Sequence, residues 1–214
     1  MGTHPQGRWQ RITGVGIDND VRGGVLVLPG GRPRDASASR PWQLANQRMI
    51  LLAHSLQRSL GSAVKVHRVQ YRNRGWNSPG LDALCDAKSA LGELRRDVDR
   101  VVLVGHSMGA RVAAHLSAIS DVVGLVALAP WWPHGDADLI PTSCRLLTLH
   151  GTADNWTDPR ASQAQTRWAH DRGVDAQWVG LPGAGHYLLR DLPRWHRLTS
   201  EFVAEQLRVS RTGA

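Results

Sequence analysis

A serine, an aspartate and a histidine, each just beyond a strand-like run, have the types and order needed to attack a carbonyl carbon. The serine is Ser107, in VVLVGHSMGA (101–110). A serine hydroxyl is a weak nucleophile until a base takes its proton. Gly105-His106-Ser107-Met108-Gly109 fits G-x-S-x-G, where small flanking residues let the backbone turn sharply and leave the hydroxyl at the apex. The amphipathic run that follows would aim free helix N–H groups at a developing negative charge. Taken alone, the motif also describes an ordinary strand-to-helix turn. Its partners decide between the two readings. Asp154 in HGTADNWTDP is the candidate acid, and His186 in PGAGHY is the candidate general base. Asp158 competes with Asp154 but stands directly before Pro159, which marks a helix cap. The plainer reading of Asp154 itself is an Asx-turn residue. The order Ser, Asp, His favours a catalytic set, and no other histidine has a comparable setting. The candidate oxyanion donors are the N–H groups of Met108 and of Gly31 in LPGGR, with Arg32 as the runner-up for the second.

These residues need a scaffold, and the chain supplies alternating strand-like and helix-like runs. The expected strands are VRGGVLVLPG (21–30), 64–71, 101–104, 122–130, 145–151 and 176–183. Between them, 41–60, the segment marked by Leu81, Leu84, Cys85, Leu91, Leu94 and Val98, 107–119, 159–172 and 193–208 read as helices. A hairpin over 8–18 precedes them. The alternation predicts a mainly parallel α/β sheet, whose chemistry sits at the C-terminal edge of its strands. Ser107, Asp154, His186 and Gly31 all fall at that edge. A chain of 214 residues with 42% hydrophobic and 21% charged content fits one globular domain over 1–214, with flexible tails at about 1–7 and 209–214.

Composition narrows the function classes. No apolar run approaches the ~20 residues of a membrane span, and the N-terminal stretch has no signal-like apolar core. Two cysteines make no disulfide framework; Cys85 reads as a small buried hydrophobe on its helix. A cytoplasmic setting is therefore expected. The net charge of +8 is carried by arginines scattered along the chain, with lysine only at Lys65 and Lys88. No nucleic-acid recognition motif accompanies them, and codon bias in a GC-rich genome produces the same excess. His134, Asp136 and Asp138 have metal-ligand types, but their spacing around Gly135 reads as a solvated turn, and no metal is expected.

GHSMGA, HGTAD and GAGH, with LPGG upstream, resemble the α/β-hydrolase superfamily over about residues 20–208. The style is that of small carboxylesterases, dienelactone-hydrolase-like proteins and the monoacylglycerol-lipase/serine-aminopeptidase branch. The resemblance implies a three-layer αβα sandwich and a cofactor-free hydrolase with Ser107, Asp154 and His186 as its triad. Two departures stand out. Many members carry His-Gly where this chain has Pro29-Gly30, and many insert a helical cap after the strand ending at Pro130, where this chain has only about a dozen residues. The expected reaction is hydrolysis of a small-molecule ester or thioester through an acyl-enzyme. The alternatives are acyl transfer on the same triad, which a closed, dry site would favour, and a non-catalytic binding protein of the same fold.

Tryptophan is nine-fold represented against one phenylalanine, and four of the nine follow strand ends. Trp76, Trp131, Trp132 and Trp156 read either as the wall of an open cleft or as anchors of their loops. Arg32, Arg34, Arg72 and Arg74 fall near the same mouth and read first as solvated surface charges; the alternative is that they attract an anionic substrate.

Overall fold

The computed structural model describes residues 9–11, 21–133 and 135–209. The near-continuous apolar runs become strands buried on both faces: β2 (Gly23–Leu28), β3 (Val64–Val69), β4 (Val101–His106), β5 (Val122–Leu128) and β6 (Arg145–Gly151). With β1 (Trp9–Arg11) and β7 (Ala176–Leu181), they form one seven-stranded sheet of order β1-β3-β2-β4-β5-β6-β7. Every pairing from β3 to β7 is parallel, and β1 runs antiparallel on the β3 edge. Strand β1 therefore pairs with β3, and the rest of the hairpin expected over 8–18 lies outside the described residues, as do the expected tails except residue 209.

Alternation along each strand divides the core. Leu26, Leu28 and Leu103 face one layer, with helices α2 (Asp82–Leu94) and α3 (Met108–Leu116). Val25, Val27, Val102 and Val104 face the other, with α1 (Leu44–Leu60) and α5 (Leu192–Leu207). Helix α4 (Pro159–Asp171) joins the first layer through Ala169. The result is a three-layer α/β-hydrolase fold. Between β5 and β6 there is a short loop with one 3-10 turn (Asp136–Leu139) and no inserted domain. Among the described residues no helix is long and apolar enough to cross a membrane.

Two expectations about helices need correction. Helix α1 opens at Leu44 rather than 41, because Gln43 is still extended, with ψ 140°. Helix α2 is rotated from its expected face: Ala83, Ala87, Ala90, Leu91 and Leu94 point inward, and Cys85 is exposed. Asp86, also buried, shares this face, and its carboxylate accepts from Arg72 N at 2.8 Å and Arg72 Nε at 2.6 Å.

The topology fixes where chemistry can happen. After β2 the chain goes to β3 on one side, then returns to β4 on the other. The crevice left beyond the C-terminal ends of β2 and β4 lies at this switch point, where open α/β sheets bind ligands.

Candidate active site

Ser107 sits at the junction of β4 and α3 with φ 54° and ψ −116°, a strained conformation for a residue with a side chain. The two flanking glycines make this turn possible. A Cβ at Gly105 would lie 2.3 Å from the Gly109 carbonyl oxygen, and one at Gly109 would lie 2.1 Å from that of Leu28. Both approaches are impossible for any side chain. The turn is pinned by Ser107 N–H donating to the Leu128 carbonyl at 2.9 Å.

The chain brings the three expected residues together from β4, β6 and β7. Ser107 Oγ lies 3.1 Å from His186 Nε2, and His186 Nδ1 donates to Asp154 Oδ2 at 2.8 Å. All three side chains are buried. Asp158 is elsewhere: it caps α4, accepting from Arg160 N.

Asp154 is held by more than His186. Its Oδ2 also accepts from His150 Nε2 at 3.0 Å and Thr157 Oγ1 at 2.8 Å, while Oδ1 accepts from the N–H groups of Trp156 (2.8 Å) and Thr157 (3.1 Å). Burial alone would raise this carboxyl's pKa. The bonds from His150, His186 and the two backbone N–H groups outweigh it and hold the group well below the usual carboxylate range. Asp154 is thus ionised wherever the protein is folded at ordinary pH.

His106 braces the histidine loop. Its Nε2–H donates to the His186 carbonyl at 2.9 Å, which leaves Nδ1 with a bare lone pair, buried and without a partner. Burial, with the charges of His186 and Arg48 nearby, pushes its pKa down to about 3. The Trp156 indole stacks on the His186 ring at 5.6 Å with an interplanar angle of 12°.

A side chain at Gly31 would strike the Arg74 carbonyl (2.4 Å) and the Met108 side chain (2.5 Å), so Gly31 lies directly against Met108. The N–H groups of both residues lack an acceptor among the described residues. Arg32 N–H is already committed to the Arg74 carbonyl at 2.9 Å, which removes the runner-up.

The cleft at Ser107 has a volume of about 390 Å³ and is walled by Trp42, Trp156, Arg48, His106 and Tyr187 as well as His186. Trp156 lies where it was expected, but three other indoles do not line this cleft. Trp76 and Trp132 are buried, at 4% and 6% exposure. Trp76 packs beneath the Arg111 guanidinium (4.4 Å), and Trp132 donates its indole N–H to the Ala110 carbonyl at 3.3 Å. Trp131, half-buried on the other side of Arg111, borders two neighbouring depressions.

Of the expected arginines, Arg32 and Arg74 line the cleft, Arg34 borders the depression beside Trp76, and Arg72 is bound to Asp86. Asp136 is occupied by Arg111 and His115, and His134 lies outside the described residues. Among the described residues no group of His, Cys, Asp and Glu gathers as a metal would require.

Sequence reasoning missed Trp42, Arg48, His150, Thr157 and Tyr187. His150 and Thr157 carried a faint signal, since they stand four residues before and three after Asp154.

Comparison with known proteins gives a consistent picture. A family model described as the alpha/beta hydrolase family matches residues 25–179. No curated protein matches the sequence. Among solved structures, a protein of unknown function from Agrobacterium tumefaciens is 18% identical with a TM-score of 0.71, over 97% of this chain and 94% of that one. A serine hydrolase without a lid from Xanthomonas campestris is 20% identical with a TM-score of 0.61, over 92% and 88%. Est1E from Butyrivibrio proteoclasticus, solved with ferulic acid bound, is 14% identical with a TM-score of 0.69, over 94% and 96%.

Proposed function

We propose that this chain, which belongs to the alpha/beta hydrolase family, is a serine hydrolase that cleaves a small-molecule carboxylic ester or thioester with Ser107, His186 and Asp154. The observation that carries the reading is the continuous relay from Ser107 Oγ through His186 to Asp154, with gaps of 3.1 and 2.8 Å. His186 Nε2 takes the hydroxyl proton as Oγ attacks the carbonyl carbon. Asp154 holds the ring so that Nδ1 carries its proton and Nε2 is free to accept, and it stabilises the imidazolium that forms. The oxyanion that develops meets the N–H groups of Met108 and Gly31. Collapse expels the alcohol or thiol, which takes the proton from Nε2. Water, deprotonated by the same nitrogen, then releases the acid from Ser107.

No inserted cap covers the cleft, and Trp156 at its rim is largely exposed. Open access of water favours hydrolysis over transfer to another acceptor. The test is a panel of short p-nitrophenyl esters, thioesters and amides assayed with the wild type and with Ser107→Ala. The substitution is expected to lower kcat by roughly 10⁴–10⁶ on every substrate that turns over. Equal rates in the two proteins would remove Ser107 from the chemistry.

A further inference from the structure

A buried cation in the wall of the Ser107 cleft has no counter-ion. Arg48 lies on α1 at 9% exposure and lines the cleft. Its Nε is shut off from solvent with no hydrogen-bond partner, and no carboxylate pairs with it among the described residues. Its one strong contact is a stack on the Tyr187 ring, with Cζ 4.2 Å from the centroid. A guanidinium does not deprotonate under these conditions, so the charge persists. Desolvating its Nε without an acceptor opposes folding, and a bound anion would offset that cost.

The other inward-facing arginines are treated differently. Arg72 has Asp86, Arg74 has Asp35, and Arg111 has Asp136. Arg68, buried at 1%, donates to Asn46 Oδ1, the Val69 carbonyl and Gln70 Oε1. Arg48 alone among these combines burial, a place in the reaction cleft and unfilled donors. His106 Nδ1, on the same cleft, offers a lone pair and does not compete for an anion.

We propose that Arg48 is the anchor for an anionic group carried by the substrate itself, so that the preferred substrate is an ester bearing its own carboxylate. The inference rests on the hydrolase reading above and adds the substrate class. Tyr187 sets the guanidinium plane by stacking beneath it, and the free N–H groups meet the carboxylate as charge-assisted hydrogen bonds. Arg32 and Arg74, for which the sequence leaves an anion-attracting role as the alternative, line the same cleft, and Arg74 is paired with Asp35.

The test compares monoethyl esters of C4–C8 dicarboxylic acids with the diethyl esters of the same acids, followed by pH-stat. A second arm compares 6-acetoxyhexanoate with 6-acetoxyhexanamide, to place the charge on the alcohol side. In at least one arm the wild type is expected to prefer the charged member. Arg48→Gln is expected to lower the charged-to-neutral ratio of kcat/KM by roughly 10–100-fold, the range that hydrogen bonds to charged groups carry. Arg48→Lys, which keeps the charge, should recover part of that ratio and guards against a Gln variant that folds poorly. A merely structural arginine would lower both members together and leave the ratio untouched, which overturns the proposal. Turnover of neutral esters with no preference in either arm overturns it as well, while leaving the hydrolase reading standing. Failure to hydrolyse any member overturns both.

Discussion

Two corners around Ser107, one behind His186 and one in the cleft wall, are built on opposite principles. At Asp154, five donors converge on two carboxylate oxygens, and the whole corner is closed by the protein. At Arg48, a side chain of similar burial keeps its Nε without an acceptor. The difference separates two kinds of work. A carboxylate whose acceptor sites are filled by its own chain is complete before any ligand arrives, and its influence passes to the cleft only through His186. A guanidinium left bare is where the proposed substrate carboxylate would complete the pair. Buried polar groups in native proteins are overwhelmingly satisfied, so an exception in the cleft at Ser107 has weight.

The comparison can be broken most severely at the Asp154 corner. Asp154→Asn keeps the shape but removes the charge that holds the His186 tautomer. It is expected to lower kcat by roughly 10⁴ with little change in KM. A loss below about tenfold would mean that His186 is oriented by something else.

Thr157→Val removes one of the three donors to Asp154 Oδ2 without changing the side chain's shape. A kcat loss of roughly tenfold is expected, near the lower bound for a hydrogen bond to a charged group, because His150 and His186 remain. Thr157→Ser should restore the rate. Wild-type rates in Thr157→Val would show that the corner is over-supplied.

His106, between the two corners, yields the smallest effect and the only one read as stability. Its folded pKa is depressed to about 3, against the ordinary value of 6.5. Above about pH 6.5 neither folded nor unfolded chain is protonated there. Below it the unfolded chain takes a proton that the fold refuses, so this group lowers stability by about 1.4 kcal/mol per pH unit until about pH 3. Asp154, with its folded pKa lowered, contributes stability above its unfolded value of 3.8 and loses it only as pH falls further. Chemical denaturation between pH 7 and 5 should therefore show the His106 slope without the Asp154 one. His196, pushed down to about 4 by burial, adds a slope of the same sign, so His106→Gln should roughly halve the total, and an unchanged slope in that variant would assign the loss to other groups.

Much of this molecule was legible before its structure. The strands after which Ser107, Asp154 and His186 stand are short apolar runs with glycine at their ends, and both signals are local. The elbow was legible for a steric reason: only glycine fits at 105 and 109. What stayed hidden depends on residues distant in sequence. Arg48 stands four residues before Leu52, on the apolar stripe of its helix, but its residue type reads as surface and its Tyr187 partner comes from a loop far along the chain. Trp76 and Trp132 follow strand ends as cleft residues do, yet contacts with Arg111 and the Ala110 carbonyl of a distant helix take them into the core. Cys85 has an apolar neighbour at Leu84, but the inward face of its helix carries Asp86, paired with Arg72 from a distant strand end.

The central claim is that Ser107 is the residue made reactive by the filled Asp154 corner. Treatment with a fluorophosphonate probe, followed by intact mass and peptide mapping, tests it most directly. One phosphonyl group per chain on Ser107, absent in Ser107→Ala and strongly slowed in Asp154→Asn, is the predicted result. An unlabelled wild type, or an adduct on any other residue, would contradict it.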